Sequence, residues 1–292
     1  MQRKLVIMKT GHLFIAGLIL MCCSAFLKAQ EIYQSPKLLK VWETPIGLNV
    51  PESSFYNEDD QTIYVSNICG MHNVKDSLGF ISKLTDKGEF IEKEWVRGLN
   101  APKGINISNG KLYVTDIDEV LEIDLKTAKI LKRYSNIKAT AVNDVAIDAN
   151  GRVYITDTKT NCIFFVGKDS LEIFVQSDEI NRVNGAWVYN SQLLCGSKNN
   201  LVCIDLKTKD LKILADSTGY LDGIVSVGKN KIIVSDWKGK IQLIEIGKGI
   251  ETILNTTPLN IYAADLGFIP SQKLLLVPTF SDNKVVAYKL AD

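Results

Sequence analysis

Six short runs of one pattern recur along the chain: three apolar residues, a small residue, then a polar one. They read IYVSN from Ile63, LYVTD from Leu112, VYITD from Val153, LLCGS from Leu193, IIVSD from Ile232 and LLVPT from Leu275. Their starts lie 49, 41, 40, 39 and 43 residues apart. A unit of that size cannot bury its own apolar face, so neighbouring copies must pack on one another. Within each copy an earlier apolar run precedes the motif, and a turn rich in Asn, Gly, Asp or Lys joins the two, as in SNGK, DANGR and GKNK. A third run follows, as in LEIDLKT and VCIDLKT, and a fourth, more polar one leads to the next copy, as in AKILKRYS. Short β-branched runs bounded by turn residues predict strands, and no long segment sustains a helical period.

Four strands per unit of about forty residues is the pattern of a propeller blade. The fold class expected is all-β, a six-bladed β-propeller with four-stranded blades. The last copy ends after its third strand, at Lys284–Leu290, while the segment KLLKVW, residues 37–42, precedes the first full blade. That segment is expected to supply the missing outer strand, which closes the ring and removes its exposed sheet edges. The longer first spacing comes from an insertion, CGMHNVKDSLG at residues 69–79, expected to overhang one mouth of the central tunnel.

The first 29 residues stand outside the repeat. Arg3, Lys4 and Lys9 precede an apolar run from Leu13 to Leu27, and Lys28-Ala29-Gln30 follows. This is the grammar of a secretory signal cut after Ala29. It predicts an exported, periplasmic or extracellular protein whose single domain is 30–292. The apolar run is short for a membrane span, and none is expected in the mature chain. Cys22 and Cys23 raise lipid anchoring as a rival, but neither follows the small residue such processing favours. Without its leader the chain keeps 30 basic and 33 acidic side chains, a net charge of −3. That balance, with no Lys/Arg stripe, argues against a nucleic-acid partner. Cys69, Cys162, Cys195 and Cys203 are too sparse for a disulfide scaffold or a zinc site, and buried free thiols are expected. A monomer is expected.

In a propeller, residues at the start of each innermost strand converge on one mouth of the tunnel. Counting back from each motif reaches PESSFY, APKGIN, AVNDVA, RVNGAW, YLDGIV and YAADLG. The ring residues are then Glu52, Lys103, Asn143, Asn184, Asp222 and Asp265. Three carboxylates packed together would repel and raise one another's pKa values, and a divalent cation would relieve this. Carboxylate and amide oxygens without sulfur or imidazole suit a hard ion, calcium first, with magnesium, manganese or zinc as alternatives. Asp, Asn and Gly are also the commonest turn residues, so the same pattern fits a polar channel filled with water.

The blade starts PES (51–53), LNAPKGI (99–105), VNDVAID (142–148), VNG (183–185), LDG (221–223) and ADLGF (264–268) resemble the senescence-marker-protein/gluconolactonase/luciferin-regenerating-enzyme-like family. The similarity covers residues 40 to 290. The resemblance implies a divalent metal in the tunnel held by Glu52, Asn184 and Asp222, with Asn143 contacting substrate or metal-bound water. Two departures bear on substrate. Ala141 stands where sugar-lactone members carry an Arg, and the first-blade motif reads Glu52-Ser53-Ser54-Phe55 rather than Glu-Gly-Pro. Lys103 and Asp265 belong to the ring without being standard ligands of the family, and are expected to be substrate contacts of a subgroup.

The chemistry expected is hydrolysis of a lactone or related ester, a carboxylic ester hydrolysis with Asp222 as base and Lys103 as cationic donor. The alternative is a non-catalytic propeller binding a small ligand or protein partner, with a structural cation. His12 falls in the leader, and His72 reads as a surface residue of the insertion. Trp95, Trp187 and Trp237 read as packing residues.

Overall fold

The computed structural model describes residues 32–291. The expected leader and cleavage point, with Cys22 and Cys23, lie outside the described residues. Six antiparallel sheets account for nearly all regular structure, five of four strands and one of five. The innermost strands are Pro51–Asn57, Pro102–Ser108, Val142–Ile147, Ala186–Tyr189, Leu221–Gly228 and Gly267–Ile269. Each repeat motif forms the second strand of its blade. Among the described residues no helix is long and apolar enough to cross a membrane.

The ring closes as the sequence predicts. Leu38–Glu43 pairs antiparallel with Val285–Leu290 as the outer strand of blade six, in register Leu38 to Leu290. One element was not foreseen. Tyr33–Gln34 adds a fifth strand to blade five by pairing with Gly249–Asn255, so residues 33–43 tie together two blades.

The core is divided among the junctions between blades. Tyr64 and Ile81 of blade one pack on Leu112 and Val114 of blade two. The sixth junction sets Ile63 and Val65 against Leu274 and Leu276, sealing the last blade on the first. Each such side chain contributes about 1.5–3 kcal/mol by leaving water. Cys195 and Cys203 illustrate the two-sided burial. Their strands pair Cys195 with Val202 and Leu194 with Cys203, so the two thiols point to opposite faces. All four cysteines of the described residues are free.

The small residue of the repeat has a structural reason. In four blades the innermost strand bulges at the same place: pairing breaks after Pro51, Pro102, Val142 and Leu221 and resumes three residues on. Two residues then face one on the second strand, and that one is Ser66, Thr115, Thr156 or Ser235. The hydroxyl accepts a backbone N–H that the bulge strips of its ladder partner: Ser66 from Ser53 (3.0 Å), Thr156 from Asp144 (2.9 Å), Ser235 from Gly223 (2.7 Å). In the first four blades the polar residue that ends the motif accepts from the incoming loop. Asn67 takes the N–H of Asn49, and Asp116 takes those of Asn100 and Ala101. A bulge re-aims side chains and terminates pairing. Repeated around the ring, it turns consecutive residues into the tunnel.

Candidate functional site

The bulged pairs are Glu52-Ser53, Lys103-Gly104, Asn143-Asp144 and Asp222-Gly223, and Asn184-Gly185 and Asp265-Leu266 take the same places in blades four and six. Glu52, Lys103, Asn143, Asn184 and Asp222 come together at one cavity, and Asp265 bridges to Ser53 beside Glu52. Glycine is required where blades crowd together. A Cβ on Gly185 would come within 2.2 Å of the Asp222 carbonyl oxygen, and one on Gly223 within 2.3 Å of the Leu266 nitrogen.

The ring has two layers. The outer one forms the floor of a cavity of about 770 Å³ at one mouth, lined there by Glu52, Lys103, Asn143, Asn184 and Asp222. Asn184 donates from Nδ2 to Asp222 Oδ1 at 2.5 Å. Asn143 donates to Thr158 Oγ1 at 3.2 Å. Glu52 Oε2 and Asn184 Oδ1 are buried with no hydrogen-bond partner. The inner layer contains a residue that strand alternation hides, Asp144. Its Oδ2 accepts from Ala186 N at 2.6 Å and its Oδ1 from Val145 N at 3.1 Å. Asp265 belongs to this layer, accepting from Ser53 Oγ at 2.5 Å, while its own N–H donates to Glu52 O.

Four carboxylates and one ammonium thus share a buried space. Burial, then the Asp222 charge, holds Glu52 well above the usual carboxylate range. Burial, then Asp144, pushes Asp222 up to about 7. Burial pushes Asp144 up to about 7 against its two backbone N–H bonds. Asp265 is raised well above its ordinary value by burial and by Asp144. Burial lowers the Lys103 ammonium, opposed by Glu52. Fully ionised, these five groups carry three uncompensated negative charges, which favours protons or a cation in their midst.

The donors fit a hard cation in kind. Two unpartnered buried oxygens, Glu52 Oε2 and Asn184 Oδ1, flank a carboxylate in the cavity floor. Among the described residues no three His, Cys, Asp or Glu side chains are arranged to hold a metal ion by themselves. The set here is two carboxylates and an amide.

The cavity wall holds what the sequence reading missed. Trp237, assigned to packing, is half-buried and lines the cavity with Phe280 and Ile68. It is displaced from the core because it follows Asp236, the last residue of its strand. Trp95 and Trp187 do pack, Trp95 edge-on against Tyr64 and Trp187 between blades. Arg182 and Tyr220 line the wall beside Asn184 and Asp222, with the guanidinium 4.8 Å from the phenol ring centroid. The insertion reaches the mouth: His72 is exposed and lines the cavity, and Lys75 pins the loop to Asp118 at 2.7 Å.

No protein-family profile and no curated protein sequence matches the chain. Solved structures do resemble it. A catalytically inactive virginiamycin B lyase from Staphylococcus aureus with quinupristin has 13% identity and a TM-score of 0.62, over 89% of this chain and 100% of that one. A streptogramin B lyase structure has 15% identity and a TM-score of 0.62, over 89% and 98%. A nidogen/laminin complex contains a chain with 16% identity and a TM-score of 0.62, over 75% and 84%. At these identities the likeness concerns the propeller fold alone.

Proposed function

We propose that the chain is an exported, divalent-metal-dependent hydrolase of a lactone or related ester, similar to the gluconolactonase-like family. Glu52, Asn184 and Asp222 would hold the cation, calcium being the hard ion their oxygens suit best. The observation that carries this reading is the pair of unpartnered buried oxygens, Glu52 Oε2 and Asn184 Oδ1, beside Asp222 in the cavity floor. A buried acceptor without a partner costs about 1–3 kcal/mol, so a chain that keeps two together has a use for them. When bound, the cation supplies Lewis-acid polarisation of the ester carbonyl.

The chain's own residues divide the remaining work. Asp222, kept ionised beside the cation, takes a proton from the attacking water. The water oxygen bonds to the carbonyl carbon, the ring C–O bond breaks, and the proton passes from Asp222 to the departing alkoxide. Lys103, buried beside the acids, offers a cationic donor to the developing negative oxygen. Asn143 contacts the substrate from the cavity floor, while Asp265, in the layer beneath, holds the floor through Ser53 and Glu52. The virginiamycin lyase neighbours' activity does not enter this reading. A non-catalytic ligand-binding propeller uses the same floor with the cation as a tie between blades one, four and five.

Turnover separates the two. A panel of five- and six-membered lactones and aryl esters, assayed with calcium and again with chelator, should yield a calcium-dependent hydrolysis that Asp222→Ala abolishes without loss of folding. Absence of turnover by a calcium-loaded, folded chain across the panel would favour the binding platform.

A further inference from the structure

The cavity wall has two chemically different arcs. Trp237 and Phe280, from blades five and six, present half-buried aromatic surface, backed by Tyr262. The three rings form a triangle with centroids 4.5, 5.9 and 6.1 Å apart. Phe280 is held there at φ +54°, a backbone conformation a bulky side chain seldom adopts. Beside this arc, Arg182 and Lys198 reach the wall from blade four and Lys238 from blade five. The structure records no carboxylate within ion-pair distance of these three among the described residues, whereas Lys37, Lys75 and Lys111 each pair with an acid. The Arg182 guanidinium lies over the Tyr220 ring, and the residue's backbone N–H donates to Asn161 Oδ1 at 3.2 Å. The two acids that line the cavity, Glu52 and Asp222, belong to the floor.

We propose that this mouth binds a small aromatic carboxylate, its flat ring against Trp237 and Phe280 and its anionic group on Arg182 and Lys198. A cavity of about 770 Å³ lies in the range of small-molecule sites, with a mostly apolar wall and a few placed polar groups. A planar guanidinium matches a carboxylate in a two-point hydrogen bond. The inference deepens the hydrolase reading and rests on it for the chemistry: the substrate class becomes a lactone or ester carrying an aryl ring and a free carboxylate. The binding itself needs no cation.

The test titrates three probes into the chelated full chain, read by tryptophan fluorescence and calorimetry: 2-naphthoate (ring and charge), 2-naphthylmethanol (ring alone) and acetate (charge alone). Naphthoate should quench saturably and bind about tenfold or more tighter than naphthylmethanol, as a charge-assisted pair requires. Acetate should not compete with it. Arg182→Ala should weaken naphthoate about tenfold or more and leave naphthylmethanol unchanged, and Trp237→Ala should weaken both. Arg182 is exposed, so its replacement leaves the fold intact. Equal affinity for naphthoate and naphthylmethanol, or an Arg182→Ala chain that binds naphthoate undiminished, overturns the proposal. A chain that binds naphthoate as described but takes up no calcium keeps this inference and loses the hydrolase.

Discussion

Stripped of divalent cations, the chain should lose stability as pH rises from about 5 to about 8, the opposite of ordinary acid denaturation. Asp144 and Asp222 stand at about 7 against an ordinary 3.8, so the folded state holds protons that the unfolded chain releases. Where the folded state binds more protons, stability falls with pH. The contribution is complete below the unfolded value and is lost as pH climbs through the folded one. Glu52 and Asp265 shift in the same direction. The surface acids whose pKa is lowered, such as Glu43 and Glu245, titrate below this window. Of the roughly three pKa units between the unfolded and folded values, about two lie above pH 5, worth about 3 kcal/mol. Asp144 and Asp222 repel each other, so one group's worth is counted rather than two. For a chain of this size about 3 kcal/mol corresponds to roughly 6 °C in melting temperature. Thermal unfolding by circular dichroism in chelator, at half-unit pH steps, measures it. Calcium should restore the loss, and restore more at about pH 8 than at about pH 5, because protons compete for the same oxygens. A melting temperature that is flat or rising across this window without cation would refute the account of the floor as a charge-frustrated cluster.

Other perturbations read the same architecture. Glu52→Gln removes one of the acids the folded chain keeps protonated; at about pH 8 it should raise the melting temperature of the chelated chain while weakening calcium binding about a hundredfold, read by calorimetry. Ser235→Ala strips the bulge at Gly223 of its acceptor and Ala264 O of its donor, and should cost about 1–3 kcal/mol in urea unfolding. Gly185→Ala would drive a methyl into the Asp222 backbone; it should cost about 1–3 kcal/mol or more and abolish cation binding. Deleting residues 30–43 removes the strand that closes blade six, and the product should lose its single cooperative unfolding transition.

The fold was legible because the repeat motif states its own geometry. Three apolar residues bury a second strand on both faces. The small hydroxyl serves the bulge, and the terminal Asn or Asp ties the loop. Counting back from that motif reached Glu52, Lys103, Asn143, Asn184, Asp222 and Asp265 because every copy places its ring residue nine to eleven residues before the motif. What their roles are is proposal rather than geometry. Asp144 escaped because strand alternation allots one inward residue per blade, and the bulge admits two. Trp237 was misassigned because a residue one past a strand end looks, in sequence, like part of the strand. The Arg182–Tyr220 contact and the aromatic triangle escaped altogether. They join loops of different copies, and no spacing within one repeat encodes a meeting between two. The pairing of Tyr33–Gln34 on blade five was hidden for the same reason, since two residues carry no period.

The most direct test of the central claim is a calorimetric titration of calcium into the chelator-stripped chain, with Asp222→Ala alongside. The account predicts one site per chain in the wild type and none in the variant. No heat from the folded wild-type chain with calcium, and none with magnesium, manganese or zinc, would contradict it and leave the ring a protonated polar channel.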